Sequence, residues 1–248
     1  MSDKPTPMLP WPAEDLSAFG PVETQKLGRV QHYVGRVMHR NWVSIPHVTH
    51  HDDADITGFE QRRKAWNSAH PAQKRALLPA LVKASVDALR RYPQFNSALS
   101  ADGATLYARQ YFHIGIAVDV PAGLLVPVVR DCDQKDSAQI AAEIAALSEK
   151  ARGKGLSMDE MSGGCFTLSS LGHIGGTGFT PIINAPEVAI LGICRARSQF
   201  LPDKDGNPEL RLLLPLSLSY DHRVINGADA ARFVCAIGES LATYEFNQ

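Results

Sequence analysis

Apolar positions recur along this chain in two periods, and the switches between them mark its elements. "KLGRVQHYVGRVMHRNW" spaces Leu27, Val30, Val34 and Val37 or Met38 by three and four, which predicts a helix with one apolar stripe and a basic outer face. "HVTHHDDADI" then reads extended, and "ITGFEQRRKAWNSA" helical. In "LLPALVKASVDALRRYP", Leu78, Val82, Val86 and Leu89 keep the helical period; Pro79 is tolerated in a first turn, and Pro93 ends the run. "FHIGIAVDV" and "LLVPVVR" flank Pro121, Ala122 and Gly123 and predict a β-hairpin of two largely buried strands. "AQIAAEIAALSEKARGKG" predicts a helix stopped by Gly153. Strands follow at 164–169, 187–196 and 210–219, and a closing helix runs from about 228 to 244.

Strands and helices alternate irregularly, and the hairpin demands antiparallel pairing, so the expected architecture is one α/β domain with a mixed sheet. Residues 22–248 form that domain. Residues 1–21 carry Pro5, Pro7, Pro10, Pro12 and Pro21, which remove backbone donors and favour extended chain, so this stretch reads as a linker or an arm lying on a surface.

Composition changes the picture in three ways. A chain of 248 residues with 44% hydrophobic content can bury a substantial core. Lys+Arg 25 against Asp+Glu 26 leaves no global field to hold a nucleic acid or an anionic membrane, so partners are found through local sites. Cys132, Cys165, Cys194 and Cys235 lie far apart without metal-ligand spacing, which favours buried free thiols in a reducing compartment. No stretch approaches a membrane span, and "MSDKPTPMLPWP" lacks the apolar core of a signal peptide; the expected location is the cytoplasm.

Candidate chemistry is sparse. "GHIGGTGF" matches neither glycine-rich phosphate motif, and no nucleophile elbow surrounds Ser169 or Ser170. His47, His50, His51, Asp52 and Asp53 are metal-ligand types, but on a strand His50 faces away from His47 and His51, so no metal site is expected. His113 and His173 read as structural histidines near strand ends. "SYDHRVINGAD" differs, because the apolar alternation stops where Asp221, His222 and Arg223 begin and a helix follows. A histidine on the turn leaving a strand suits general base work at neutral pH. On these residues alone, a catalytic base and a structural turn both stand.

Four motifs in order, "NWVSIPHVTHHDDADIT", "HIGIAVDVPAGLLVPVV", "GGCFTLSSLGHIGGTGFTPIINAPEVAILGI" and "DHRVINGA", resemble the catalytic domain of dihydrolipoamide acyltransferases across residues 21 onward. The pattern is most similar to the acetyltransferase component of bacterial pyruvate dehydrogenase complexes. The resemblance implies a two-layer sandwich, a mixed β-sheet covered by helices, similar to chloramphenicol acetyltransferase, assembled as a homotrimer with its sites at subunit boundaries. It implies acetyl transfer between dihydrolipoamide and coenzyme A in a ternary complex, with His222 as the base that deprotonates the attacking thiol. Ser170 falls where the family places a hydroxyl donor to the oxyanion, with Ser169 as the fallback. Asn226 stands where many relatives carry aspartate, which favours a positional role. Arg29 matches a basic residue that supports the 222–226 turn, and Asp119 and Gly123 match a hairpin bordering the coenzyme A channel.

The resemblance also implies partners. Relatives carry lipoyl and subunit-binding domains upstream, so the lipoyl group comes from a separate or missing domain, and pyruvate dehydrogenase and dihydrolipoamide dehydrogenase are candidate partner enzymes. The ending "LATYEFNQ" is less apolar than the family endings that dock trimers into cubic cages, so trimerisation is expected and cage assembly is left open. Two other functions remain: a trimeric scaffold whose chemistry is dispensable, and a free-standing acetyltransferase acting on a small hydroxyl or amine.

Overall fold

The alternating segments pair into a seven-stranded sheet, and most of the helical segments pack on one face of it. The computed structural model describes residues 11–121 and 123–246. A short exposed helical turn at Leu16–Phe19 precedes α1 (Arg29–Ser44), β1 (His47–Asp55), α2 (Thr57–Ala69) and α3 (Leu77–Arg91). Two short strands, β2 (Ser97–Leu99) and β3 (Leu106–Ala108), pair only with each other. The predicted hairpin is present but divided. Its base, β4 (Ile114–Ile116) and β7 (Val128–Val129), belongs to the main sheet, while β5 (Val118–Val120) and β6 (Gly123–Leu125) form a separate ladder beyond it. Then come α4 (Ser137–Gly153), β8 (Phe166–Ser170), β9 (Ala189–Ile193), β10 (Arg197–Pro202), β11 (Pro208–Asp221) and α5 (Gly227–Ala242).

The sheet runs β1-β11-β9-β8-β4-β7, with β10 pairing the outer half of β11. Strands β4, β8 and β9 are mutually parallel and the other pairs antiparallel, so the sheet is mixed, as expected. The central strand β9, "AILGI", is buried throughout, which is why it reads as a continuous apolar run without alternation. On one face, Phe233 of α5 stacks on Phe95 at 4.0 Å and meets Phe166 of β8 at 5.6 Å. Ile237 and Leu241 are buried beside it, so the α5 stripe is consumed inside the subunit.

The other face carries a second, smaller apolar cluster. Ile190 of β9 packs there with Ile183 and Ile45, which places the 171–188 connection and the C-terminal end of α1 over that face. The chain end returns to the helical layer: Phe246 is buried against Phe59, and Arg62 donates to the carbonyls of Ala242 and Tyr244.

Three expectations need correction, and two further features were not read from the sequence. The predicted helix α1 is present, with its apolar stripe only partly covered: Val34, Val37 and Met38 are half-buried, Val30 is 44% exposed, and Asn41 is the helix's buried residue. The predicted hairpin is not two buried strands, because β6 is largely exposed. Gly153 does not stop α4 but lies in it; the left-handed residue that ends the helix is Gly155, at φ +80, whose N–H returns to Lys150 O. Cys235 is exposed, unlike the other three free cysteines. Strand β10 was not foreseen, since "RSQFLP" lacks alternation and is ordered by its pairing with β11. The first ten residues of the proline-rich arm, Ala122 of the hairpin turn, and Asn247 and Gln248 of the chain end lie outside the described residues.

The Phe95, Phe166 and Phe233 contact joins helix to sheet, so Phe233→Ala leaves a cavity between them. It is expected to lower stability by about 3–5 kcal/mol. Denaturant unfolding of the purified chain measures this, and a loss under about 1 kcal/mol would show that the layers hold without the aromatic contact.

Candidate active site

Strand β11 ends at Asp221, and the chain turns at once into α5. The turn is held at both sides by backbone bonds: Asp221 N–H donates to Val188 O at 2.8 Å, and His222 N–H donates to Pro46 O at 3.1 Å. Two further N–H groups, of Val224 and Ile225, close the turn onto Asp221 O, each at 3.0 Å. The buried Asp221 carboxylate accepts from Arg223 Nη2 at 2.6 Å and from the Arg223 backbone N–H at 3.0 Å. Hydrogen bonding to that carboxylate holds the Arg223 guanidinium above its ordinary range. The two charges flanking His222 therefore pair with each other, and His222 stands exposed between them with its ring 5.9 Å from that of Tyr220.

Asn226 is the N-cap residue of α5, yet its side chain makes no capping bond, so its amide is left free at an exposed position. Asn226 and His222 lie on the same turn.

Ser170 is elsewhere. It ends β8 in register with Ile193, and Ile193 pairs with Leu216 of β11. His222 follows Leu216 by six residues, so at about 3.3 Å per residue the two side chains stand roughly 20 Å apart along the strands alone. Ser169, in register with Gly192, lies on the opposite face with Ser217, whereas Ser170 shares the face of Leu168 and Phe166 toward the helices. The hairpin of Asp119 and Gly123 continues from β4, which runs parallel to β8, so it projects from Ser170's end of the sheet. Asp119 is exposed there, and Gly123 takes φ +130 at the turn, where a side chain would strain the backbone although the space around it is open. Arg29 is exposed at the first turn of α1, a helix about 22 Å long whose opposite end leads to Pro46. Within one chain the structure thus brings together His222 and Asn226, and separately Ser170, Asp119 and Gly123. It does not bring Arg29 to the 222–226 turn.

Two of the three histidines of β1 are engaged in hydrogen bonds: His47 with Ile45 O and Ile183 N–H, His51 with Ser217 Oγ at 2.9 Å. No group of three or more potential metal ligands occurs among the described residues. His113 accepts the Asp131 N–H at 3.0 Å, in keeping with a structural role.

One residue of the region was not anticipated. Glu187 is buried one position before the Val188 carbonyl that holds Asp221, and it accepts from Thr167 Oγ1 at 2.9 Å while its second oxygen has no partner. Burial pushes its carboxyl up to about 8, against the opposing effects of the Thr167 hydrogen bond and the Arg109 charge, and so favours the uncharged form. A signal was available in "PEVAILGI": a carboxylate opening a fully apolar strand must lose its charge or find a partner.

Against this geometry the relatives are informative. Chloramphenicol acetyltransferase overlays with a TM-score of 0.53 at 16% identity, covering 82% of this chain and 94% of that one, a likeness of fold alone. The family model for the 2-oxoacid dehydrogenases acyltransferase (catalytic domain) matches residues 19–246, and the chain belongs to that family. It is 54% identical over 236 residues to the dihydrolipoyllysine-residue acetyltransferase component of the pyruvate dehydrogenase complex of Pseudomonas aeruginosa, covering 94% of this chain and 43% of the relative. The corresponding Cupriavidus necator protein is 49% identical, with 96% and 43% covered. The chain thus spans less than half the length of these two relatives. A solved dihydrolipoamide acetyltransferase from Azotobacter vinelandii has a TM-score of 0.91 at 49% identity, covering 95% of this chain and 98% of that one.

Because Glu187 binds its proton more tightly folded than unfolded, its contribution to stability is complete below the ordinary carboxylate range, near 4.5, and is lost as pH rises through about 8. Glu187→Gln removes this dependence. Melting temperatures between pH 5 and 9 should fall more steeply for the natural chain than for the variant; parallel curves would show that the carboxyl does not hold a proton in the fold.

Proposed function

We propose that this chain is the acetyl-transferring catalytic domain of a dihydrolipoamide acetyltransferase, working as a homotrimer in which each site joins His222 and Asn226 of one subunit to Ser170 of the next. The observation that carries this reading is the separation of Ser170 from His222 at opposite ends of one sheet. A general base and an oxyanion donor act on one thioester only within a few ångströms of each other, so the roughly 20 Å between them is closed by a second copy. Exposed apolar side chains flank each half, Trp42, Val43 and Val48 near His222 and Leu171 and Ile174 near Ser170, and such surface favours burial against another copy. The Azotobacter vinelandii structure comes from work on a serine, a histidine and an asparagine in that enzyme's catalytic mechanism; the spacings of 52 and four residues between them are those of Ser170, His222 and Asn226.

The chemistry follows from the residue types. His222 takes the proton of the attacking thiol, that of dihydrolipoamide or of coenzyme A according to direction, and the thiolate adds to the acetyl thioester carbon. The Ser170 hydroxyl donates to the oxyanion of the tetrahedral intermediate. Collapse breaks the other carbon–sulfur bond, and the leaving thiolate regains a proton from His222. Asn226, uncharged and with a free amide, positions the reacting groups and does not relay charge. Asp119 and Gly123 border the coenzyme A channel beside Ser170. Arg29 can support a 222–226 turn only on a neighbouring copy.

The lipoyl group is carried by a domain other than residues 22–248, residues 11–21 of the arm lie on the trimer surface, and the 222–226 site operates in the cytoplasm with pyruvate dehydrogenase and dihydrolipoamide dehydrogenase as partner enzymes. A cubic assembly of trimers is consistent with a solved cubic pyruvate dehydrogenase core, 50% identical to this chain with a TM-score of 0.91. No helix among the described residues is long and apolar enough to cross a membrane.

Purified chain given acetyl-CoA and dihydrolipoamide should transfer acetyl, with His222→Ala inactive and Ser170→Ala slowed about 10²–10³-fold. Mixing the two inactive or slowed trimers under subunit exchange should restore activity, because one class of interface then holds both residues. Exchange confirmed by mass without recovery would place both residues in one chain's site and end the interface reading. Activity untouched by His222→Ala would leave a scaffold, and faster transfer to a hydroxyl or amine would make dihydrolipoamide the wrong acceptor.

A further inference from the structure

The bond from His222 N–H to Pro46 O makes the position of the histidine depend on what holds Pro46. The residues on either side of Pro46 are fixed by one ring. His47 Nδ1 lies 2.8 Å from Ile45 O, and His47 Nε2 lies 3.0 Å from Ile183 N. A carbonyl only accepts and a backbone N–H only donates, so the imidazole carries its proton on Nδ1 and presents a bare Nε2. The backbone carbonyl of the same residue is taken by α1: Asn41 Nδ2 donates to Ile183 O at 2.9 Å. Arg40 donates to Asn41 Oδ1 from Nη2 at 2.9 Å and from Nε at 3.1 Å, which orients the amide. Asn41 is 1% exposed, and Ile183 is fully buried.

Three elements thus meet at one residue, Ile183: the last turns of α1, the first residue of β1, and the 171–188 connection that covers the second face of the sheet. A buried asparagine costs stability unless it is bonded, and an apolar residue would serve simple packing at least as well. What this arrangement supplies is direction. It sets the 45–47 corner, and that corner sets both the Pro46 carbonyl and the register of His47 opposite Asp221 on β11.

We propose that Asn41 and His47 are positioning residues for His222: by clamping the backbone N–H and C=O of Ile183 and the Ile45 carbonyl, they fix the acceptor that orients the catalytic turn. Neither residue touches the reacting groups. The inference rests on His222 as the base, and its test separates the two claims.

The test compares Asn41→Asp, which keeps shape and loses the donor to Ile183 O, with His47→Ala and His47→Asn. The short amide of His47→Asn reaches the Ile45 carbonyl but not Ile183, so it should recover part of what His47→Ala loses. Amide hydrogen exchange, read by mass spectrometry on the natural oligomer, should accelerate at least about tenfold across 219–226 in Asn41→Asp and His47→Ala, while peptides of α5 around Phe233 stay protected. The kcat should fall by up to about 10²-fold with the KM for acetyl-CoA within about twofold, because orientation is lost and binding is not. Unchanged exchange at 219–226, or equal acceleration in α5, overturns the positioning role. So does a raised KM at constant kcat. Accelerated exchange in a protein whose natural form transfers no acetyl group would keep the clamp and refute the acyltransferase reading alone.

Discussion

The register of β11 is the constraint on which the rest depends. Fourteen residues long, it is paired by β1 along one edge and by β9 and β10 along the other, so neither sliding nor fraying at its far end is open to it. A slip of one residue would turn Leu214, Leu216, Leu218 and Tyr220 from the helical layer to the second face and expose a row of buried side chains at about 1.5–3 kcal/mol each. That penalty fixes where the strand ends. The turn that follows inherits its position from apolar burial many ångströms away.

Around this turn the molecule uses polar groups where apolar ones would be more stabilising. Asp221, Asn41 and Glu187 are all buried, and each is tied to a backbone group or a neighbouring side chain that bears on residues 221–222. The Asp221 and Arg223 pair is half in water, with 3% and 45% of the two side chains exposed, so its Coulombic gain is screened at one end and its value lies in the geometry of the bidentate contact. Glu187 goes further, since burial favours its uncharged form. Such groups discriminate between one arrangement of the turn and near alternatives, because any shift leaves a buried donor or acceptor unpaired.

Much of this was legible from pattern. The helices of the sandwich follow their apolar periods, and the mixed sheet follows from a hairpin set among parallel-type runs. The turn at Asp221 was visible because alternation stops there. What escaped is the long-range pairing. Strand β10 has no period of its own and exists through β11; the exposed face of α1 has a clear period, but the period does not say which surface covers it. The roles of Asn41 and His47 were hidden for the same reason: their partner, Ile183, lies 142 and 136 residues away, and the two spacings come together only in the folded chain. The resemblance pointed to His222 and Ser170 and to sites at subunit boundaries, while the distance between the two residues within one chain comes from strand register.

That separation also explains a division of labour between the helices. The stripe of α5 is buried against Phe95 and Phe166 within the subunit, so it contributes to folding and offers nothing to a neighbour. The stripe of α1 is only partly covered, with Val34, Val37 and Met38 half-buried and Leu27 and Val30 exposed, and the helix is anchored to its own subunit by the buried Asn41 near its C-terminal end. An exposed helix of this kind is poorly stabilised alone, since most helical stability in proteins comes from packing an apolar face. Its anchored end bears on the His222 corner through Asn41, and in the proposed trimer its uncovered apolar positions would pack on a second copy. Association would then stabilise α1 and complete the pairing of His222 with a Ser170 at the same boundary, which couples assembly of the oligomer to assembly of the site.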